Sequence, residues 1–97
     1  MEFEWDLKKE EENIKKHGVF FSEAVDSFSD PNVLRLVDAR RSENEERYYW
    51  LGQTKSGRVL TTWYTYRGAK IRIIGSGEWR KGRRLYHERA KLEGPED

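Results

Sequence analysis

The chain has 97 residues, of which 35% are hydrophobic and 38% charged, with no cysteine and a formal net charge of +1. That length holds one domain with a thin core, and the lack of cysteine excludes a disulfide framework and any Cys-based zinc or redox site. No apolar run is long enough to span a membrane and the N-terminus shows no basic-then-apolar leader, so the expected address is the cytoplasm, with no membrane partner.

The charge is unevenly spread. Residues 1–46 hold seven Lys/Arg against thirteen Asp/Glu, whereas residues 47–97 hold twelve against five. Such a molecule has one basic surface, suited to phosphates or to an acidic protein.

Phe3-Glu4-Trp5 alternates like a short extended lead-in. Asp6 is the expected N-cap of a helix from about Leu7 to His17, with Glu10, Glu11 and Glu12 early, Lys15, Lys16 and His17 late, and Gly18 as its stop. Ser22 is expected to cap a second helix, Glu23 to Phe28, ended by Asp30-Pro31. Four strands follow: Asn32–Asp38, one from about Glu46, one from Arg58 to Tyr66, and one from Ala69 to Ser76. The pair Arg67-Gly68 is expected to form the turn between the last two, and a final helix runs from about Glu78 to Leu92. The expected fold class is α+β: two N-terminal helices, a four-stranded antiparallel sheet and a C-terminal helix. The domain spans 1–93, with 94–97 as a disordered tail.

With Arg67-Gly68 as the turn, Trp63 lies across from Arg72 and Thr65 across from Lys70. Extending the ladder sets Trp50 opposite Trp63 and Tyr48 opposite Thr65, so one face carries Lys70, Arg72, Trp50, Trp63 and Tyr48. Cations beside aromatic rings hold phosphates and stack bases. The same rows also arise from cross-strand packing on a face that meets a protein partner, and a bulge at Gly57 reverses the first half of the pairing.

Several short motifs then fall together. Phe3-Glu4-Trp5-Asp6, Lys9, Asn13 and Lys16-His17-Gly18-Val19 resemble the opening of BrnT-family toxins. Asp30-Pro31, Glu46-Arg47, Gly57-Arg58, Arg72-Ile73-Ile74, Arg84 and Tyr86 continue the resemblance. It covers residues 2 to about 90. Many members follow Arg-Ile-Ile with Ser-Ala-Arg, whereas this chain has Gly75-Ser76-Gly77, with Arg80 and Lys81 as the next cations.

The resemblance implies the toxin of a type II toxin–antitoxin pair, a small ribonuclease with a RelE/ParE-like fold. It implies a BrnA-like antitoxin as partner, RNA as substrate, and operator DNA reached only through the antitoxin complex. A toxin homodimer within a heterotetramer is compatible with it. Metal-independent RNA cleavage needs a group that activates the 2′-hydroxyl, cations on the crowded phosphate, and a donor for the leaving oxygen. No metal-binding motif is present and no cofactor is expected. Arg72 is the leading phosphate-stabilising residue, because a guanidinium makes paired bonds to phosphate. Arg84 and Tyr86 are the other expected catalytic residues, and Lys70, Arg47 and Trp63 the expected substrate-binding ones. His17, at a helix end before glycine, is expected to be structural, and His87 to face solvent. The alternative is a non-catalytic RelE-like module that binds nucleic acid or a partner and has lost the chemistry at Gly75-Ser76-Gly77.

Overall fold

A computed structural model describes residues 1–39 and 46–92. The expected tail at 94–97 and most of the charged stretch after Asp38 lie outside the described residues. In chain order the elements are β1 (Glu2–Glu4), α1 (Leu7–His17), α2 (Phe21–Phe28), β2 (Leu34–Val37), β3 (Tyr48–Gln53), β4 (Val59–Arg67), β5 (Lys70–Gly77) and α3 (Arg80–Leu92).

The first helix forms as its sequence dictates. Asp6 Oδ1 accepts from the Lys8 and Lys9 backbone N–H groups at 2.8 and 3.1 Å, and Gly18 closes the helix at φ 66°. The second helix starts earlier than expected, at Phe21 rather than Glu23. The N-cap is Phe20, not the expected Ser22, and two carboxylates explain this. Glu23 Oε1 accepts from Phe20 N–H at 3.2 Å, and Glu10 Oε2 from Phe21 N–H at 2.8 Å.

The sheet has five strands in the order β1-β5-β4-β3-β2, not four. The lead-in Glu2–Glu4 pairs parallel with β5 (Glu2↔Lys70, Phe3↔Ile71, Glu4↔Arg72), so the sheet is mixed rather than antiparallel throughout. The order of helices and strands is corrected accordingly, to βααβββ β α with the first strand inserted at the edge beside β5.

The register is corrected too. Arg67 pairs with Lys70, which makes Gly68-Ala69 the turn and sets Thr65, not Trp63, across from Arg72. Gly68 at φ 61° supplies the left-handed residue that such a tight connection needs. Between β3 and β4, Tyr48 faces Tyr64 and Trp50 faces Thr62, one residue away from the expected ladder. A bulge in β5, where Ile74 is extra between the Tyr64↔Ile73 and Trp63↔Gly75 pairs, shifts the remaining pairs again.

A one-residue slip exchanges the faces of a strand. Trp50 and Tyr48, expected beside the cations, therefore turn to the helix α2 side. Trp50 is fully buried there with Phe21, Ala24, Tyr64, Ile71 and Ile73, and its Nε1–H donates to Ser27 Oγ at 2.9 Å. Burying side chains of this size contributes about 1.5–3 kcal/mol each. Close approach helps: a Cβ at Gly52 would lie 2.2 Å from the Ser27 carbonyl oxygen, so only glycine lets β3 meet α2.

The opposite face packs Leu51, Val59 and Tyr86 beneath α3, joined by Leu34, Leu36 and Tyr49. Helix α3 is seated at Gly82, where a Cβ would lie 2.2 Å from Thr61 Oγ1. Asn13 of α1 locks the far end of β5: its Nδ2 donates to the Val19 and Ser76 carbonyls at 3.0 and 2.8 Å, and its Oδ1 accepts from Ser76 N–H at 3.1 Å. Among the described residues no helix is long and apolar enough to cross a membrane.

Candidate active site

Helix α3 covers only part of its face of the sheet. Beside it lies a groove of about 800 Å³, floored by Tyr49, Leu51, Thr61, Trp63 and Gly75. Lys81, Gly82 and Leu85 of α3 form one side, Asn13 and His17 of α1 one end, and Arg47 with Val37, Asp38 and Ala39 the rim.

Aromatic rings organise the groove. The Trp79 indole stands edge-on to Trp63 with centroids 4.6 Å apart, His17 is tilted against Trp79 at 4.8 Å, and Tyr49 is 6.2 Å from Trp63. Gly77 makes this possible. A Cβ there would fall 2.6 and 2.8 Å from two carbons of the Trp79 ring and 3.3 Å from the His17 Cβ. The absent side chain of Gly-Ser-Gly is thus the seat of an indole. Thr61 Oγ1, buried on the floor beneath Gly82, has no hydrogen-bond partner among the described residues.

Arg47 and Trp63, both expected to bind substrate, line this groove together. The three expected catalytic residues are not brought together. Arg72 Nη1 donates to Glu4 Oε2 at 2.6 Å on the β1–β5 edge, and Lys70 sits beside it, 3.8 Å from Glu2. The Arg72 charge also reaches Asp6, whose carboxyl is held below its usual range chiefly by the backbone bonds from Lys9 and Lys8. Arg84 points to the outer side of α3, in a shallow depression with Arg80, Arg83, His87, Glu88 and Lys91.

Tyr86 is 5% exposed, and its hydroxyl donates to Asp30 Oδ2 at 2.5 Å. Burial and that bond push its pKa up to about 12. Asp30 also accepts from the Asn32 and Gln53 backbone N–H groups, so Tyr86 ties α3 to the α2–β2 turn.

Sequence reasoning missed Tyr49 and Trp79 as groove residues, named Lys81 only as a next cation after Gly75-Ser76-Gly77, and gave His17 a structural role. The available signal for Trp79 was weak: a tryptophan two residues after a glycine, where a ring can lie on bare backbone. Among the described residues no three His, Cys, Asp or Glu side chains are grouped to hold a metal ion.

Comparison with known proteins supplies the context. The chain is similar in fold to the 1.1 Å crystal structure of the Brucella abortus ribonuclease toxin BrnT, with a TM-score of 0.61 and 20% identity over 81% of this chain and 96% of that one. Among curated proteins, no sequence matches significantly. The family model described as "Ribonuclease toxin, BrnT, of type II toxin-antitoxin system" matches residues 5–82, most of the chain. The chain belongs to the BrnT family of ribonuclease toxins of type II toxin–antitoxin systems.

Proposed function

We propose that this chain is a metal-independent endoribonuclease that arrests growth until an antitoxin covers it, and that the groove between α3 and the end of α1 is its reaction centre. The observation that carries this reading is the convergence of Trp63, Trp79 and Tyr49 with Arg47, Lys81 and His17 around one groove. Rings hold a base by stacking, and cations hold the phosphate beside it. The ribose 2′-oxygen attacks the adjacent phosphorus, a 2′,3′-cyclic phosphate forms, and the bond to the 5′-oxygen breaks. In this scheme His17 takes the 2′-hydroxyl proton, Arg47 stabilises the crowded phosphate, and the Lys81 ammonium protonates the leaving 5′-oxygen. Arg72 and Lys70 lie outside the groove lining and serve the β1–β5 edge. A type II toxin implies an antitoxin partner. An amphipathic segment laid into the groove, its acidic side chains on Arg47 and Lys81, is the economical way to silence it.

The competing reading, a binding module without catalysis, draws on Gly77, where an indole is seated on bare backbone and the chain has Gly75-Ser76-Gly77 instead of the Ser-Ala-Arg that the resemblance implies. Purified protein incubated with RNA in a metal chelator separates the two. Cyclic-phosphate ends and their loss on Arg47→Ala, by a factor of about 10²–10³, are expected. Intact RNA bound to a demonstrably folded protein would leave only the binding module.

A further inference from the structure

Helix α3 carries a second feature that the groove does not use. Arg80, Lys81, Arg83, Arg84, Arg89 and Lys91 give it six cations against one acid, Glu88. Arg80, Arg84, His87 and Lys91 recur at helical spacing and share the outer depression with Arg83, all of them exposed. At 1.5 Å per residue that stripe runs about 16 Å along the axis.

Several cations elsewhere on the body are occupied. Arg58 bonds Glu23 and Glu78, Arg72 bonds Glu4, Lys70 is near Glu2, and Arg35 lies over the Phe28 ring. Arg80, Arg83, Arg84 and Lys91 make no hydrogen bond or ion pair among the described residues. Like charges gathered on one face, with Glu88 the single acid among them, raise a positive potential that an external anion relieves.

We propose that this outer stripe of α3 is a phosphate track that holds the backbone of RNA running past the groove, and so sets how firmly long substrates are retained. The inference rests on the ribonuclease reading for its choice of ligand. Two observations favour RNA over an acidic protein. The stripe contains no apolar side chain, because Tyr86 turns to the core and Leu85 to the groove, whereas protein interfaces are anchored by buried apolar and aromatic residues. It also lies on the flank of the same helix whose other flank, at Lys81 and Gly82, borders the groove. A strand leaving the groove over α3 meets it directly.

The test uses the full chain, a fluorescent 2′-O-methylated RNA that cannot be cut through its own 2′-oxygen, and the Arg80→Gln/Arg83→Gln/Arg84→Gln/Lys91→Gln variant. Each single-strand phosphate contact contributes about 0.7 to the salt slope. For a strand of about 20 nucleotides, four contacts make affinity fall roughly fiftyfold between about 50 and about 200 mM salt, and that component should vanish in the variant. Replacing the three arginines by lysine should keep it, since a track reads charge and not fork geometry. A variant that binds this RNA with the wild-type slope overturns the proposal, as does wild-type protein that fails to bind it. Loss of poly-glutamate binding with RNA binding unchanged overturns it too, in favour of an acidic protein dock. Natural RNA left intact by the wild type, with the slope difference present, refutes the ribonuclease reading and leaves the track standing.

Discussion

Replacing Gly77 by alanine tests whether the indole seated there shapes the groove. The backbone itself accepts the change, because Gly77 is not among the positive-φ glycines. The added methyl falls 2.6 and 2.8 Å from two Trp79 ring carbons, where carbon contacts prefer about 3.5–4.0 Å, so the ring must retreat by roughly 1 Å. Sideways movement is opposed by the rings of Trp63 and His17, 4.6 and 4.8 Å away. With 36% of Trp79 already exposed, it swings outward instead and loses both ring contacts. Such contacts are worth about 0.5–1.5 kcal/mol each, which sets the cost at about 1–3 kcal/mol. Thermal melting should drop by about 5 °C or more. Near-ultraviolet circular dichroism should lose its tryptophan coupling, and RNA cleavage should fall at least about tenfold as the groove wall moves. In a Trp79→Ala background the same alanine should cost almost nothing, giving a coupling energy of similar size. Equal costs in the two backgrounds would refute the packing argument.

Arg72→Ala should lower stability by only about 1 kcal/mol, since the Glu4 pair it breaks is 27% and 32% exposed, and should leave RNA cleavage within a few fold of wild type. Denaturant melts and the cleavage assay check both, and abolished cleavage with an intact fold would return Arg72 to the reaction centre. Tyr86→Phe should cost about 1–2 kcal/mol and change the pH profile at both ends. Burial pushes the Asp30 carboxyl up, but the bonds from Tyr86, Asn32 and Gln53 outweigh it and leave its pKa below the usual 3.8. That contribution is present above 3.8 and lost as pH falls through the lower folded value, so the variant should lose less stability in acid. At the alkaline end the wild-type Tyr86 contribution is full below 10.0 and lost as pH rises towards about 12; the variant lacks it, leaving Tyr64, also raised to about 12. Urea melts across pH measure both limbs.

Local signals were legible in the sequence. The Asp6 cap, the charge order of α1 and the Gly18 stop could all be read because each involves residues within a few positions of one another. What escaped was long-range. Glu2–Glu4 looks like a lead-in until β5 lies beside it, sixty-eight residues from Glu4 to Arg72, and three residues carry no periodicity that announces such a partner. Of the expected substrate-binding residues, Trp63 and Arg47 fall in one groove and Lys70 lies apart from it on the β1–β5 edge. Trp50 was not separable from Trp63, because alternation assigns faces only relative to a register that a single turn residue decides. Arg72 drew attention for its place among isoleucines, a position that an edge ion pair with Glu4 explains equally well.

The groove is assembled from the two ends of the chain. His17 closes α1, whereas Trp79, Lys81 and Leu85 arrive only after β5, and the Asn13 bonds to Ser76 join residues sixty-three apart. Contacts of that separation form late, once loop closure has been met by the intervening sheet. A nascent chain still missing α3 therefore has no groove. While the polypeptide emerges from the ribosome the groove lacks its α3 wall, and any product truncated before residue 79 stays without it. With the reaction centre proposed above, RNA cleavage becomes available only on completed molecules.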